Sequence, residues 1–315
     1  MAIVISPTFQ YIPKIPLPPL PNPLGSLSEL KGKWEGKGFN QIWRPFNDPA
    51  HPGQDRFLEL NETTETLDFT EIKGPIPNRG LLQPDINLFG LTYLQQISDA
   101  VTKGGLHIEP GIWVNVPATT NPKEPATVVR MASIPHGTTI NLQGSGIGPI
   151  QSGPIFAVAS IDPFPIGGGP PIVFPEKNLA VATPFRTPPA DIPAVTQAMV
   201  NDPNSVLASA IAGQHISNMF VLQVSSAISN PPPMPPPNSG GGTANIAFLV
   251  GDPGLAPPNA KANADAAKAT STFWIETVTT PGHSPFLQLQ YTQTVLLNFN
   301  RLSWPHVSVA TLRKV

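Results

Sequence analysis

In the stretch GLHIEPGIWVNVPAT, His107 and Glu109 stand two residues apart. On a regular strand that spacing sends both side chains out of one face, where a carboxylate can orient an imidazole for general acid or base work. Pro110 and Gly111 follow at once, and a bulge there would re-aim the pair. With His136 or His306 added, the pair would also supply a two-histidine, one-carboxylate facial metal site. The competing reading is a solvated His–Glu pair on an outer face.

A second candidate, His306, lies in WPHVSVATLRKV on a strand face shared with Ser308, Ala310 and Leu312. Small neighbours leave room beside the ring, and an imidazole whose second nitrogen is held makes a good metal ligand. Its competitor is a strand-edge histidine after Pro305, satisfied by water. Arg130 is the lone charge in the apolar run ATVVRMASI, and its planar fork suits two bonds to one carboxylate. An outward arginine paired with Glu or Asp fits the same pattern, and Arg44 has the same two readings. His51, His215 and His283 carry no role. No nucleophile elbow, phosphate loop, HExxH or dinucleotide fingerprint is present. Gly167 to Gly169 run into Pro170 and Pro171, which argues against a phosphate-cradling helix start.

The elements that would position these residues are mostly strands. Phe286 to Phe299 alternates best, with Leu287, Leu289, Tyr291, Val295, Leu297 and Phe299 opposed to Gln288, Gln290, Thr292, Thr294 and Asn298. Trp34, Gly36, Gly38, Asn40 and Ile42 share one face of an opening strand from Gly32. Further strand-like runs are DRFLEL, ETLDFTEI, ATVVRMASI, TTINLQG, PIFAVASI, NMFVLQVSSAI and STFWIETVT. They predict an all-β chain: a closed antiparallel barrel of about ten strands with helical and Pro/Gly-rich insertions. Helical spacing predicts insertions over residues 81–104 and 190–215, packed outside the wall. Residues 1–24 read as a proline-rich arm laid on the body by Ile12, Ile15, Leu17 and Leu20, and residues 25–315 as one barrel domain. Its insertions fall near 81–104, 162–215 and 229–270, the last containing the low-complexity run Asn230 to Gly242.

The 315-residue length is compatible with one large barrel. Charged residues make up 12% and the net charge is −2, which gives no basic patch to hold nucleic acid. No cysteine is present, so disulfides, thiolate metal sites and a cysteine nucleophile are excluded. The 42 prolines and 26 glycines, more than a fifth of the chain, sit among apolar strand-like runs and predict stiff, ordered loops. Proline recurs through the first 25 residues where a signal or membrane helix would have to form, so a soluble cytoplasmic protein with no membrane partner is expected.

Gly32-Lys33-Trp34 resembles the G-x-W signature of the calycin superfamily. The longer string Gly32-x-Trp34-x-Gly36-x-Gly38 resembles the opening of nitrobindins, small haem-binding barrels related to fatty-acid-binding proteins. The resemblance implies that Trp34 plugs one barrel end beneath a basic residue of the last strand, for which Arg301 or Arg313 stand ready. It implies b-type haem with His306 as proximal metal ligand, and Arg130, Trp34 and Trp113 as further cofactor-binding residues. Nitric oxide binding, or reaction with peroxynitrite or peroxide, would follow. Two other functions stay open: a lipocalin-like or fatty-acid-binding-like carrier of an apolar small molecule, with Trp34, Trp113 and Trp274 lining the pocket, and a cofactor-free dehydratase or isomerase with His107 and Glu109 as catalytic residues.

Overall fold

The computed structural model describes residues 22–226, 242–245, 249 and 263–315. Ten long strands form the body: β1 (Gly32–Pro45), β2 (Arg56–Glu71), β3 (Ile86–Asp99), β4 (Gly105–Val116), β5 (Thr127–Ile134), β6 (Thr138–Ile150), β7 (His215–Ser225), β8 (Asp265–Thr279), β9 (Phe286–Phe299) and β10 (Leu302–Lys314). Each pairs antiparallel with its neighbours in sequence, and β1 closes on β10 from Trp34 opposite Lys314 to Ile42 opposite His306. The predicted closed ten-stranded antiparallel barrel is therefore the fold.

The barrel interior is built in layers by the register. Trp34, Lys314 and Leu67 lie at one end; Gly38, Ala310 and Tyr291 lie midway; Ile42, His306 and Val295 lie near the other. Alternation selects the inward set, as it must where side chains of period two fill a closed sheet. A 3-10 turn, Gly25–Leu30, seals the first end with Leu27 and Leu30, and the Trp34 indole N–H donates to Leu30 O at 2.7 Å. The cation over Trp34 is Lys314, 5.3 Å from the ring centroid, rather than Arg301 or Arg313. Arg313 lies over Phe286 instead, because it is one residue away from the inward-facing parity.

A second core lies outside the wall. Residues 151–214 connect β6 to β7 across the outer face, where Ile161, Val200 and Leu207 pack with Phe39, Trp43, Val307 and Val309. Two short helices, α1 (Gln197–Asn201) and α2 (Asn204–Ala210), dock there as expected for residues 190–215. Outward glutamines hold them: Gln41 Nε2 donates to Met199 O at 2.6 Å and Gln290 Nε2 to Leu207 O at 3.0 Å.

Three expectations need correction. Residues 81–104 are not a helical insertion, for Ile86–Asp99 is β3, paired on both sides within the barrel. Leu88, Leu91 and Leu94 mimic a helical spacing, while the inward set Leu91, Tyr93, Gln95 and Ile97 contains a polar residue that breaks the alternation. DRFLEL and ETLDFTEI are one continuous strand, β2. PIFAVASI belongs to the outer crossing, with Ile155 and Val158 exposed. The proline-rich arm up to Pro21 and the run Asn230 to Gly241 lie outside the described residues.

Candidate functional site

The end opposite Trp34 opens into a cavity of about 670 Å³. Its walls are apolar where Ile42, Ile97, Ile134, Val295, Leu297 and Phe299 line it, and polar where Asn40, His107, His136, His306 and Ser308 do. Tyr291, Gln95 and Gln293 form its floor, one or two layers deeper in the register.

Beneath the floor, polar groups are paired almost completely. Glu109 on β4 is fully buried, and its Oε1 accepts from Arg130 Nη2 at 2.5 Å and from the Tyr93 hydroxyl. Arg130 also donates Nε–H to Tyr93 Oη at 2.9 Å, and Nη1 donates to Ser271 Oγ at 2.9 Å and Gln293 Oε1 at 2.6 Å. The rings of Tyr93, Trp113 and Phe273 surround the guanidinium, each centroid within 6 Å. Burial by itself would raise the Glu109 pKa, but the Arg130 charge and the His107 hydrogen bond outweigh it and hold the carboxyl at about 2. The same carboxylate outweighs burial at Arg130 and keeps it charged. Gly111 makes the cluster possible, since a Cβ there would stand 2.6 Å from Tyr93 Cε1.

His107 sits on top of this clamp, its Nε2 3.2 Å from Glu109 Oε2. An ionised carboxylate only accepts, so Nε2 carries a proton, and in the neutral imidazole Nδ1 is the nitrogen with the free lone pair. The His136 ring lies 5.2 Å from that of His107, between centroids. Burial lowers the His136 pKa.

A second carboxyl, Glu65 on β2, has no cation against it. Tyr291 Oη donates to Glu65 Oε2 at 2.5 Å and Thr63 Oγ1 to Oε1 at 2.8 Å, while Gln95 Nε2 donates to Tyr291 Oη at 2.9 Å. Burial raises the Glu65 pKa against these bonds. The two interior carboxyls are thus driven apart: Glu109 is ionised, Glu65 is pushed toward its neutral form.

His306 projects into the cavity as expected, and its Nε2 lies 3.1 Å from Asn40 Oδ1, which also accepts from Ser308 Oγ at 2.6 Å. Burial, with the nearby His107 and His136, pushes its pKa down to about 3. The imidazole is neutral at any ordinary pH.

The structure brings His107, His136 and His306 around one cavity, with Glu109 bonded behind His107, and separates the rest. Arg130 lies under the floor with its donors committed, so it does not reach out to a ligand carboxylate. Trp34 plugs the far end and Trp113 walls the Arg130 site; neither lines the cavity. Among the described residues no group of three or more His, Asp or Glu is placed to hold a metal ion, so the facial site does not assemble. Gln95 and Glu65 were not singled out by the sequence, and Asn40, Ser308 and Tyr291 were legible only as strand-face residues, not as members of the site. Asn40 did leave a signal: it is a polar residue on the same strand face as Trp34, Gly36 and Gly38.

No family model matches this chain, and no curated protein matches it. Among solved structures, the crystal structure of Rv2717c from M. tuberculosis aligns over 94% of this chain and 99% of that one, at 14% identity and a TM-score of 0.43. A likeness of that degree carries no argument, and the barrel assignment rests on the strand register. Among the described residues no helix is long and apolar enough to cross a membrane.

Proposed function

We propose that the protein binds a largely apolar small molecule in the cavity at the open end of the barrel, with the ligand's polar edge meeting His306, Asn40 and Ser308. The observation that carries this reading is the cavity itself. Its volume of about 670 Å³ falls within the roughly 300–1,000 Å³ typical of ligand sites, and its few convergent polar groups among apolar walls match their usual make-up. The opposite end is packed shut around Trp34, so access is from one side.

Haem b is the particular ligand that the nitrobindin resemblance implies, and His306 is the residue that would hold it. A neutral imidazole in an apolar cavity suits axial ligation. One contact must give way: His306 Nε2 now donates to Asn40 Oδ1, so ligation through that nitrogen requires the Asn40 side chain to turn. Bound there, the iron would supply gas binding or chemistry on peroxynitrite or peroxide. Arg44 lies in the cavity lining, paired with Glu59 at 3.0 Å, and would meet an acidic group on such a ligand by leaving that pair.

Two titrations test the reading. Haemin is added and the visible spectrum recorded; separately, a fluorescent naphthalene sulfonate reports apolar binding. A Soret band lost in His306→Ala, with unchanged β-type circular dichroism, supports haem. Saturable binding of the naphthalene probe alone supports a carrier of another apolar ligand. Absence of both signals would overturn the cavity reading.

A further inference from the structure

We propose that the cavity is also a proton-abstraction site, in which His107 Nδ1 is the base and Glu109 the residue that positions it, acting on an apolar molecule with a C–H bond acidified by a neighbouring carbonyl. The inference rests on the ligand-binding reading of the same cavity and adds a reaction to it.

The geometry is that of an oriented base. Glu109 Oε1 is clamped by Arg130 and Tyr93, so its Oε2 is left for His107 Nε2, at 3.2 Å. Because the clamped carboxylate can only accept, it fixes the tautomer and leaves the Nδ1 lone pair as the basic site. Among the described residues the hydrogen bond of the ring runs through Nε2 to Glu109, not through Nδ1. The ring lines the cavity beside Ile97, its cross-strand partner. A base in an apolar site meets little competing water, which is the condition for taking a proton from carbon.

The titratable groups around His107 are few. Glu109 lies behind it, the His136 ring lies beside it, and His306 and the Glu65–Tyr291 pair lie elsewhere on the cavity wall and floor. Interior carboxyls whose pKa values are pushed in opposite directions, Glu109 down by Arg130 and Glu65 up by burial, are the arrangement that separates acid from base duties in one site. Glu109 serves the base through His107, and Glu65 reaches the cavity through Tyr291.

The step balances without a cofactor. His107 Nδ1 takes the proton, the C–H electron pair becomes the new carbon–carbon π bond, and the carbonyl π pair moves to oxygen. Where the substrate also carries a β,γ carbon–carbon double bond, the oxygen pair returns to re-form the carbonyl, the new π bond stays in conjugation with it, and the displaced β,γ pair takes the proton from the imidazolium at the γ carbon; the base is regenerated and the net change is an isomerisation. No oxidant or reductant enters.

The probe for the test is 5-nitrobenzisoxazole, an apolar carbon acid whose deprotonation breaks the N–O bond and releases a coloured cyanophenolate. Binding is measured first, by displacement of the naphthalene sulfonate, and turnover second. Turnover is expected. His107→Gln, which can still bond Glu109, should lose about 100-fold or more in rate with probe binding and circular dichroism unchanged. Glu109→Gln should lose less and change the pH profile, because the amide no longer dictates the tautomer. His283→Gln, on an exposed turn, should match the wild type. Binding without turnover, or turnover surviving in His107→Gln, overturns the proposal while leaving the binding site intact. Absence of binding overturns the cavity reading and this inference together.

Discussion

Gly38 on β1 makes room for Glu65 on β2: a Cβ at Gly38 would stand 2.7 Å from Glu65 Oε1 and 2.3 Å from the backbone oxygen of Val309. The glycine therefore lets the closing seam of β1 and β10 pack tightly and leaves space for a buried carboxyl at the same level. Its partner on the same face, Gly36, has the backbone oxygen of Thr311 where its Cβ would be, at 2.1 Å. The spacing Trp34-x-Gly36-x-Gly38 is thus a closure device, with the tryptophan sealing the end and the glycines sealing the seam. Gly38→Ala should destabilise the barrel by about 1–3 kcal/mol through overpacking, read as a lower urea midpoint with an unchanged slope. A variant as stable as the wild type would show that the seam yields easily.

The Glu109–Arg130 pair should dominate acid stability. Removing one member of a buried pair leaves the other charge uncompensated, at a typical cost of about 3–5 kcal/mol, so Glu109→Gln should lower the unfolding free energy by that order at pH 7. The sign of the pH dependence follows from the depressed pKa. Glu109 titrates near 4.5 when exposed and near 2 in the folded chain, so its stabilisation is present above 4.5 and is lost as pH falls toward 2. Urea titrations between pH 5 and pH 2 should show a shallower loss in Glu109→Gln than in the wild type. Parallel curves would mean the carboxylate is not held by Arg130.

Alternation made the barrel legible wherever the inward residues are apolar, as in Leu289, Tyr291 and Val295 of β9. It failed at β3, where Gln95 faces inward to serve Tyr291 and Leu94 faces out. The site divides along the same line. His107 and Glu109 were legible as a pair because both belong to one strand, two residues apart. The partners that give them meaning, Arg130 and Tyr93, come from neighbouring strands and are brought in by register, which no local spacing reports. Arg130 stood out as a charge in an apolar run, but the run could not say whether it faced a ligand or a buried carboxylate. Asn40, Ser308 and His306 meet only because the first and last strands pair.

The outer core predicts a separable layer. Trp43 donates its indole N–H to Ile161 O at 2.9 Å and packs with Trp304 and Phe174, at 5.5 and 5.9 Å between ring centroids. Trp43→Ala removes the hydrogen bond to Ile161 and the ring contact with Phe174 that tie β1 to the crossing formed by residues 151–214. Limited proteolysis should then cut faster within that crossing, while the β-type circular dichroism of the barrel persists. Cleavage spread evenly over barrel and crossing would show instead that the two layers unfold as one.

Glu276 gives the opposite pH signature to Glu109. It is fully buried on β8, its Oε2 accepts from Gln288 Nε2 at 2.7 Å, and its Oε1 has no partner. Burial outweighs that single bond and raises its pKa from 4.5 to about 7. Below about 4.5 the group is neutral in the folded and unfolded chain alike, and folding is unaffected by it. As pH rises through about 7, the unfolded chain has already ionised while the folded chain resists, so stability falls. Glu276→Gln removes that loss: it should match the wild type near pH 4 and exceed it at pH 8, by about 1–3 kcal/mol on the scale of 1.4 kcal/mol per unit. Glu65, also raised by burial, remains in the variant and should leave a residual slope of the same sign. Paired urea midpoints at pH 4 and pH 8 decide the matter, and a Gln variant equal to or weaker than the wild type at pH 8 would mean that Glu276 ionises in the folded chain without cost.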